Sequence, residues 1–123
     1  MAYLTARKRV LGLGATGRGT DHFWNQTVSS IALLILVPLF VFTFGPTLGL
    51  PYDQAASYYA RPFPALVAVL TLVVGLIHFK NGARIAIEDY TQGHLRQGLI
   101  VAVTCISYVA IAAGLFALVK LAL

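Results

Sequence analysis

Three long windows of the sequence contain no charged residue, and they constrain the fold more than any other feature. They cover residues 23–52, 62–79 and 97–119. Each is long enough for a helix that crosses a bilayer, which needs about 20 apolar residues. Only 11% of the 123 residues are charged, whereas a soluble domain usually has about 25%. The windows therefore predict an all-α integral membrane protein with three transmembrane helices.

The windows and their flanks divide the chain into six predicted segments. A tail covers residues 1–22, transmembrane helices cover 23–45, 62–90 and 96–122, a loop covers 46–61, and a turn covers 91–95. These helices leave too little chain for a flavin-binding or nucleotide-binding domain. Any chemistry must therefore use groups within the membrane or groups that a partner supplies.

The basic residues are distributed unevenly across the predicted topology. The tail and the second connection share one side of the membrane, which is assigned Arg7, Lys8, Arg9, Arg18, Lys80, Arg84 and Arg96. The other side has only Arg61 and Lys120. Because cytoplasmic segments are enriched in Lys and Arg, the N-terminus is predicted to be cytoplasmic and the C-terminus periplasmic. The net charge of +5 is thus explained by the membrane topology. Membrane lipid is an expected partner of the chain, and nucleic acid is not.

Local signals refine the ends of the helices. Asp21 is a predicted N-cap of the first helix, because its carboxylate can accept hydrogen bonds from free backbone N–H groups. Residues 53–59 are predicted to form a short interfacial turn. Tyr52, Tyr58 and Tyr59 are predicted to form an aromatic belt at the membrane surface.

The second predicted helix has one distinctive face, which is centred on His78. At 100° per residue, Gly75, Gly82 and Asp89 lie within about 60° of His78, whereas Lys80 lies on the other side. Small residues allow a neighbouring helix or a flat ligand to approach the backbone closely. This face is therefore predicted to make a close contact.

A histidine within a membrane span is costly unless it is paired or binds a ligand. Three roles for His78 are open: a neutral imidazole hydrogen-bonded to another helix, a metal or haem ligand, and a step in a proton relay. The flanking glycines favour haem, because a porphyrin needs a groove free of side chains and imidazole is a suitable ligand for its iron.

Asp89 and Tyr90 lie at the aqueous end of the same helix, and Asp89 is about 16 Å along the axis from His78. They can be an ordinary solvated helix end, with Tyr90 in the aromatic belt. Alternatively, the tyrosine hydroxyl can donate a hydrogen bond to a quinone carbonyl, with the neighbouring acid supporting it and protons arriving from water.

His78, followed eleven residues later by Asp89 and Tyr90 in the stretch GARIAIEDY, resembles a known family pattern. It is similar to the small hydrophobic membrane anchor subunit of bacterial succinate dehydrogenase, respiratory complex II, in its alphaproteobacterial form. The resemblance extends to chain length, to the three spans, and to the Gly-x-x-His-Phe-Trp sequence at residues 19–24.

The resemblance implies specific roles for these residues. His78 would be an axial ligand of haem b, and Gly75 and Gly82 would form the haem groove. Tyr90 would bind ubiquinone with support from Asp89.

The resemblance also implies partners and a location. The second axial histidine would come from a larger membrane anchor subunit. A flavoprotein subunit and an iron–sulfur subunit would dock on the cytoplasmic face of the bacterial inner membrane. Electrons from succinate, a tricarboxylic acid cycle intermediate, would pass through them to ubiquinone in the respiratory chain.

One position departs from the family pattern. Relatives carry an arginine near the haem propionates, and Thr27 occupies its place here. We expect His22 or a basic residue of the partner subunit to take over this role.

Two other functions are compatible with the sequence. The chain can be a small transporter or proton channel in which His78 and Asp89 relay protons, although the spans contain few polar residues to line a path. It can also be a cofactor-free structural anchor of a complex similar to fumarate reductase. Haem content distinguishes these functions.

Overall fold

A computed structural model of the chain describes residues 5–12 and 19–122. Its helices are α1 (Ala6–Gly12), α2 (Gly19–Phe44), α3 (Tyr52–Tyr59), α4 (Pro62–Tyr90) and α5 (Gly93–Ala122), with a 3₁₀ turn at Gly45–Thr47. No strand occurs in these described ranges. Much of the predicted tail, including Arg18, lies outside the described residues.

Three helical segments are long and apolar enough to cross a membrane. They are Thr20–Thr47, Pro62–Tyr90 and Gly93–Ala122. The prediction of an all-α protein with three transmembrane helices is therefore confirmed.

The first span begins earlier than predicted, at Gly19. Asp21 is thus inside the first turn of α2, and its predicted role as the N-cap is wrong. A carboxylate at this position still stabilises the helix, because it lies close to the positive end of the helix dipole.

Helix α4 is the centre of the bundle. It packs against α2 and against α5, whereas α2 and α5 make no backbone contact with each other in the described part of the chain. Along α2 and α4, Gln26 lies near Gly82 and Leu33 lies near Gly75, so the two helices are antiparallel. The tight connection at residues 91–92 returns α5 antiparallel to α4.

The C-terminal end of α4 is fixed by local chemistry. Thr91 leaves the helical conformation, and both its backbone N–H and its hydroxyl donate to the carbonyl of Ile87, at 3.0 and 2.6 Å. Gly93 follows with a φ of +64°, a value that glycine adopts at little cost. Residues 89 and 90 are consequently held at a defined helix end.

The distribution of residue types suits a bundle in lipid. Several of the few buried side chains are small and polar, such as Ser29 and Ser107, whereas Leu34, Phe42 and Phe116 are exposed. In lipid, large apolar side chains gain little by contacting another helix, whereas small ones permit close approach. The exposed apolar surface is available to lipid and to other subunits.

The loop helix α3 packs against α4 and α5 at one end of the bundle. Tyr59 is only 7% exposed, so its predicted place in the aromatic belt is wrong, whereas Tyr52 is exposed. The Tyr59 ring makes an edge contact with Tyr58. It also lines an apolar cavity of about 440 Å³ between the helices.

Lys80, whose charge is counted with the second connection, lies within the predicted helix at 62–90, and the structure has it in α4, ten residues before the helix ends. Its ammonium group is 5.3 Å from the centre of the Tyr108 ring on α5. Ten helical residues span about 15 Å, so Lys80 is well inside the span. The remaining basic residues still favour a cytoplasmic N-terminus under the positive-inside rule.

Candidate functional site

The imidazole of His78 projects from α4 towards α2. Its Nδ1 atom is 2.9 Å from the Ser29 hydroxyl oxygen, and its Nε2 atom is 3.4 Å from the side-chain amide nitrogen of Gln26. The ring is partly buried between the two helices. Both ring nitrogens therefore face polar groups in an otherwise apolar interface.

The contacts of Ser29 bear on which ring nitrogen carries the proton. The Ser29 oxygen is 2.9 Å from the backbone carbonyl of Gln26 and 2.9 Å from Nδ1 of His78. When the hydroxyl donates to the carbonyl, its oxygen can accept from an Nδ1–H, and the Nε2 atom keeps its lone pair. When the hydroxyl donates to Nδ1, the Nε2 atom carries the proton and can donate to the side-chain oxygen of Gln26 in the other orientation of that amide. The geometry therefore gives each ring nitrogen a polar partner and is compatible with both tautomers.

The contact between Gln26 and His78 leaves a polar atom unsatisfied. The Gln26 Oε1 atom is buried and has no hydrogen-bond partner among the described residues. Turning the amide over would exchange its oxygen and nitrogen and bring Oε1 to the Nε2 atom of His78, where it can accept a hydrogen bond. The Gln26 amide can therefore pair with either tautomer of the ring.

The two glycines on the His78 face lie under side chains of α2. A Cβ atom on Gly75 would be 3.9 Å from Leu33, and one on Gly82 would be 3.5 Å from the Gln26 amide. Both distances are ordinary van der Waals contacts, so the packing of α2 against α4 does not by itself require glycine at either position. The role of these glycines in a haem groove stays a prediction.

A shallow cavity of about 270 Å³ opens beside this contact, between α2 and α4. Ser29 is part of its wall, together with Trp24, Asn25, Val28, Ala32, Val74 and Ile77. The wall is mostly apolar and would suit the edge of a flat hydrophobic ligand.

The chemistry of the donors fits a haem iron. Iron binds the lone pair of a neutral imidazole, and the ligating ring usually donates its other N–H to a nearby acceptor. The Nδ1–H tautomer of His78 would have both features, with the acceptor supplied by Ser29. Coordination at Nε2 would require the Gln26 amide, whose nitrogen is 3.4 Å away, to turn aside.

Asp89 and Tyr90 are both exposed at the end of α4, and Tyr90 is 89% exposed. Neither side chain makes a hydrogen bond within the described part of the chain. Glu88 instead forms an ion pair with Arg84 at 2.9 Å. The predicted quinone-site residues are therefore adjacent at the bundle surface and free to bind a ligand, but they do not contact His78.

Thr27, which occupies the place of the family arginine, bonds to its own helix. Its hydroxyl donates to the carbonyl of Phe23 at 2.9 Å. His22 lies one turn nearer the start of α2 and is partly buried. The expectation that His22 or a partner residue replaces the arginine stays a prediction.

The sequence analysis missed Ser29 and Gln26. Both lie in a mostly polar stretch at positions 25–30, interrupted by Val28, near the start of α2. Most polar residues at the start of a span face water, so the run gave no reason to pair them with a histidine 49 or 52 residues away. A signal was nevertheless present, because residues 26 and 29 are three positions apart and share one helix face.

Comparisons with known proteins place the chain in a family. The family model "Succinate dehydrogenase/Fumarate reductase transmembrane subunit" matches residues 1–116. The succinate dehydrogenase hydrophobic membrane anchor subunit of Paracoccus denitrificans is 42% identical over 123 residues, covering 100% of this chain and 95% of that protein. No solved structure matches the chain. The chain therefore belongs to the family of transmembrane subunits of succinate dehydrogenase and fumarate reductase and is a multi-pass membrane anchor subunit of such an enzyme complex.

Proposed function

We propose that this anchor subunit binds haem b through His78 and forms part of the ubiquinone reduction site through Tyr90 and Asp89. The observation that carries the haem assignment is the contact of His78 Nδ1 with the buried Ser29 hydroxyl, which can hold the proton on Nδ1 and leave the Nε2 lone pair for iron. A bound haem would supply a one-electron redox centre within the membrane.

A single chain would supply one of the two axial ligands. The sequence has three histidines, of which His22 and His94 are within the first four residues of α2 and α5. Neither can reach the middle of the span, where His78 lies. The second ligand would therefore come from a larger anchor subunit packed against the shared face of α2 and α4.

Tyr90 and Asp89 would act on the quinone. The exposed Tyr90 hydroxyl can donate a hydrogen bond to a quinone carbonyl, which polarises it for reduction. The Asp89 carboxylate is beside it at the water boundary and can pass protons from the aqueous side. Electrons would arrive from succinate through a flavoprotein subunit and an iron–sulfur subunit.

The basic residues support the placement of these partners. The N-terminal segment and the α4–α5 connection are on the same side of the membrane, which has the excess of Lys and Arg. This side would be the cytoplasm of a bacterial cell, and the membrane would be the inner membrane. Tyr90 would then face the soluble subunits that deliver electrons.

The quinone role can be tested with Tyr90→Phe in the purified complex. The matched control is Tyr52→Phe, which changes an exposed tyrosine of the loop. We expect Tyr90→Phe to lower succinate-driven quinone reduction about five- to tenfold, the equivalent of one hydrogen bond of about 1 kcal/mol. Succinate oxidation with an artificial acceptor should be unchanged. Equal loss of both activities would contradict the proposal.

The haem role predicts b-type absorbance in the native complex, isolated in mild detergent with its partner subunits. A complex that oxidises succinate but has no b-type absorbance would identify the chain as a cofactor-free anchor instead.

A further inference from the structure

Ser29 differs from the other hydroxyl residues of the spans. Thr43, Thr71, Thr104 and Ser107 each donate to a carbonyl three or four residues earlier in their own helix. Such bonds satisfy a polar group in lipid without involving another helix. Ser29 makes the same type of bond, to Gln26, and its oxygen also contacts the imidazole of His78.

The two contacts of Ser29 act together. When its hydrogen is donated to the Gln26 carbonyl, its oxygen is left to accept from His78 Nδ1. Ser29 is 9% exposed, so water has little access with which to replace either bond. The backbone of α2 can thus orient the hydroxyl, and the hydroxyl in that orientation favours the Nδ1–H tautomer of the imidazole.

We propose that Ser29 is a positioning residue for the haem ligand. It fixes the orientation of the His78 ring about the axis of its side chain and keeps the proton on Nδ1, so that Nε2 presents its lone pair to iron. An acceptor at Nδ1–H also makes the imidazole a stronger donor, which stabilises oxidised iron and lowers the haem reduction potential. This inference rests on the proposed ligation by His78.

Ser30 provides a matched control. Its hydroxyl donates to the same Gln26 carbonyl at 2.9 Å, but it is exposed and does not contact His78. Ser30→Ala therefore removes a hydroxyl of the same kind from the same turn of α2. Ser29→Thr keeps the hydroxyl at the site and tests for rescue.

The experiment uses the whole complex purified in mild detergent. Haem content per complex, the haem reduction potential and the low-spin electron paramagnetic resonance g-values are measured for the native protein and for Ser29→Ala, Ser29→Thr and Ser30→Ala. We expect Ser29→Ala to weaken haem retention by about tenfold or more, to raise the potential, and to shift the g-values because the ring can rotate. Ser29→Thr and Ser30→Ala should behave like the native complex.

Native haem content, potential and g-values in Ser29→Ala would overturn the inference while leaving the proposed function intact. Haem that survives in His78→Ala would instead overturn the proposed ligation and the inference with it. If Ser29→Ala fails to assemble, Ser29→Cys, which has a similar volume but a weaker acceptor, replaces it. The haem reduction potential of the Ser29→Cys complex should then lie above the native value, and an unchanged potential would overturn the inference.

Discussion

The two sides of α4 are packed in different ways. On the α2 side, His78 is bonded to Ser29 and Gln26, and a Cβ atom would fit on Gly75 and on Gly82 at ordinary contact distances. On the α5 side, a Cβ atom on Gly114 would be 2.5 Å from the end of the Leu72 side chain, and both residues also line the apolar cavity of about 440 Å³. The α5 side therefore combines a close apolar contact with open space, whereas the α2 side combines tolerant packing with a polar site.

The largest expected effect on stability is on the α5 side. Gly114→Ala forces the end of the Leu72 side chain to move towards the neighbouring cavity. We expect the melting temperature of the purified complex to fall modestly, because overpacking of about 2 kcal/mol is offset by about 1 kcal/mol of helix propensity. Thermal unfolding in detergent measures the change. Adding Leu72→Val should restore part of the loss, since the shorter side chain removes the clash. A fully stable Gly114→Ala variant would contradict the packing described for this side.

The matching change on the α2 side should separate packing from cofactor binding. Gly82→Ala places a methyl group at an ordinary contact distance of 3.5 Å from the Gln26 amide. Because alanine also favours the helix by about 1 kcal/mol, we expect the melting temperature of the complex to equal or slightly exceed the native value. If Gly82 forms the haem groove, haem content should nevertheless fall. Absorbance per complex measures it, and unchanged haem would contradict a role of Gly82 in the haem groove.

A smaller effect on stability is expected at Lys80, a charged residue in the otherwise apolar contact between α4 and α5. Its ammonium lies over the Tyr108 ring, and a cation–π contact contributes about 0.5–2 kcal/mol depending on desolvation. Tyr108→Leu should therefore lower the melting temperature more than Tyr108→Phe, which keeps an aromatic ring. Equal melting temperatures for the two variants would show that the contact does not contribute to stability.

The smallest effect is expected at the end of the bundle. Burial raises the pKa of the Tyr59 hydroxyl above its ordinary value of 10.0, Thr47 opposes the rise and Tyr58 adds to it. A raised pKa in the folded state gives a stabilisation that is fully present below pH 10 and is lost as the pH rises through the folded pKa. The melting temperature of the native complex should fall in that alkaline range, and Tyr59→Phe should reduce the fall. An identical alkaline profile for both would contradict this assignment.

The sequence predicted the three spans and the contact face of α4 for simple physical reasons. Windows without charge identify membrane helices because charge in lipid is costly. The 100° period placed Gly75, His78 and Gly82 on one face, and in the structure all three face α2.

The same reasoning failed where tertiary packing decides. Helix α2 is apolar around most of its circumference, so its sequence does not show that Ser29 and Gln26 turn towards α4. Tyr59 was predicted at the membrane surface but is buried, because α3 folds back onto α4 and α5. Lys80 lies inside the predicted helix at 62–90, but the sequence does not show that its ammonium contacts Tyr108 of α5.

The central claim is that His78 is the iron ligand of this subunit. The most direct test is the reduced-minus-oxidised absorbance spectrum of the purified complex carrying His78→Ala, compared with His94→Ala as a control near the start of α5. We predict that His78→Ala abolishes the native b-type spectrum or converts it to that of a haem with one protein ligand, while His94→Ala leaves it unchanged. A native spectrum at full haem content in His78→Ala would contradict the claim.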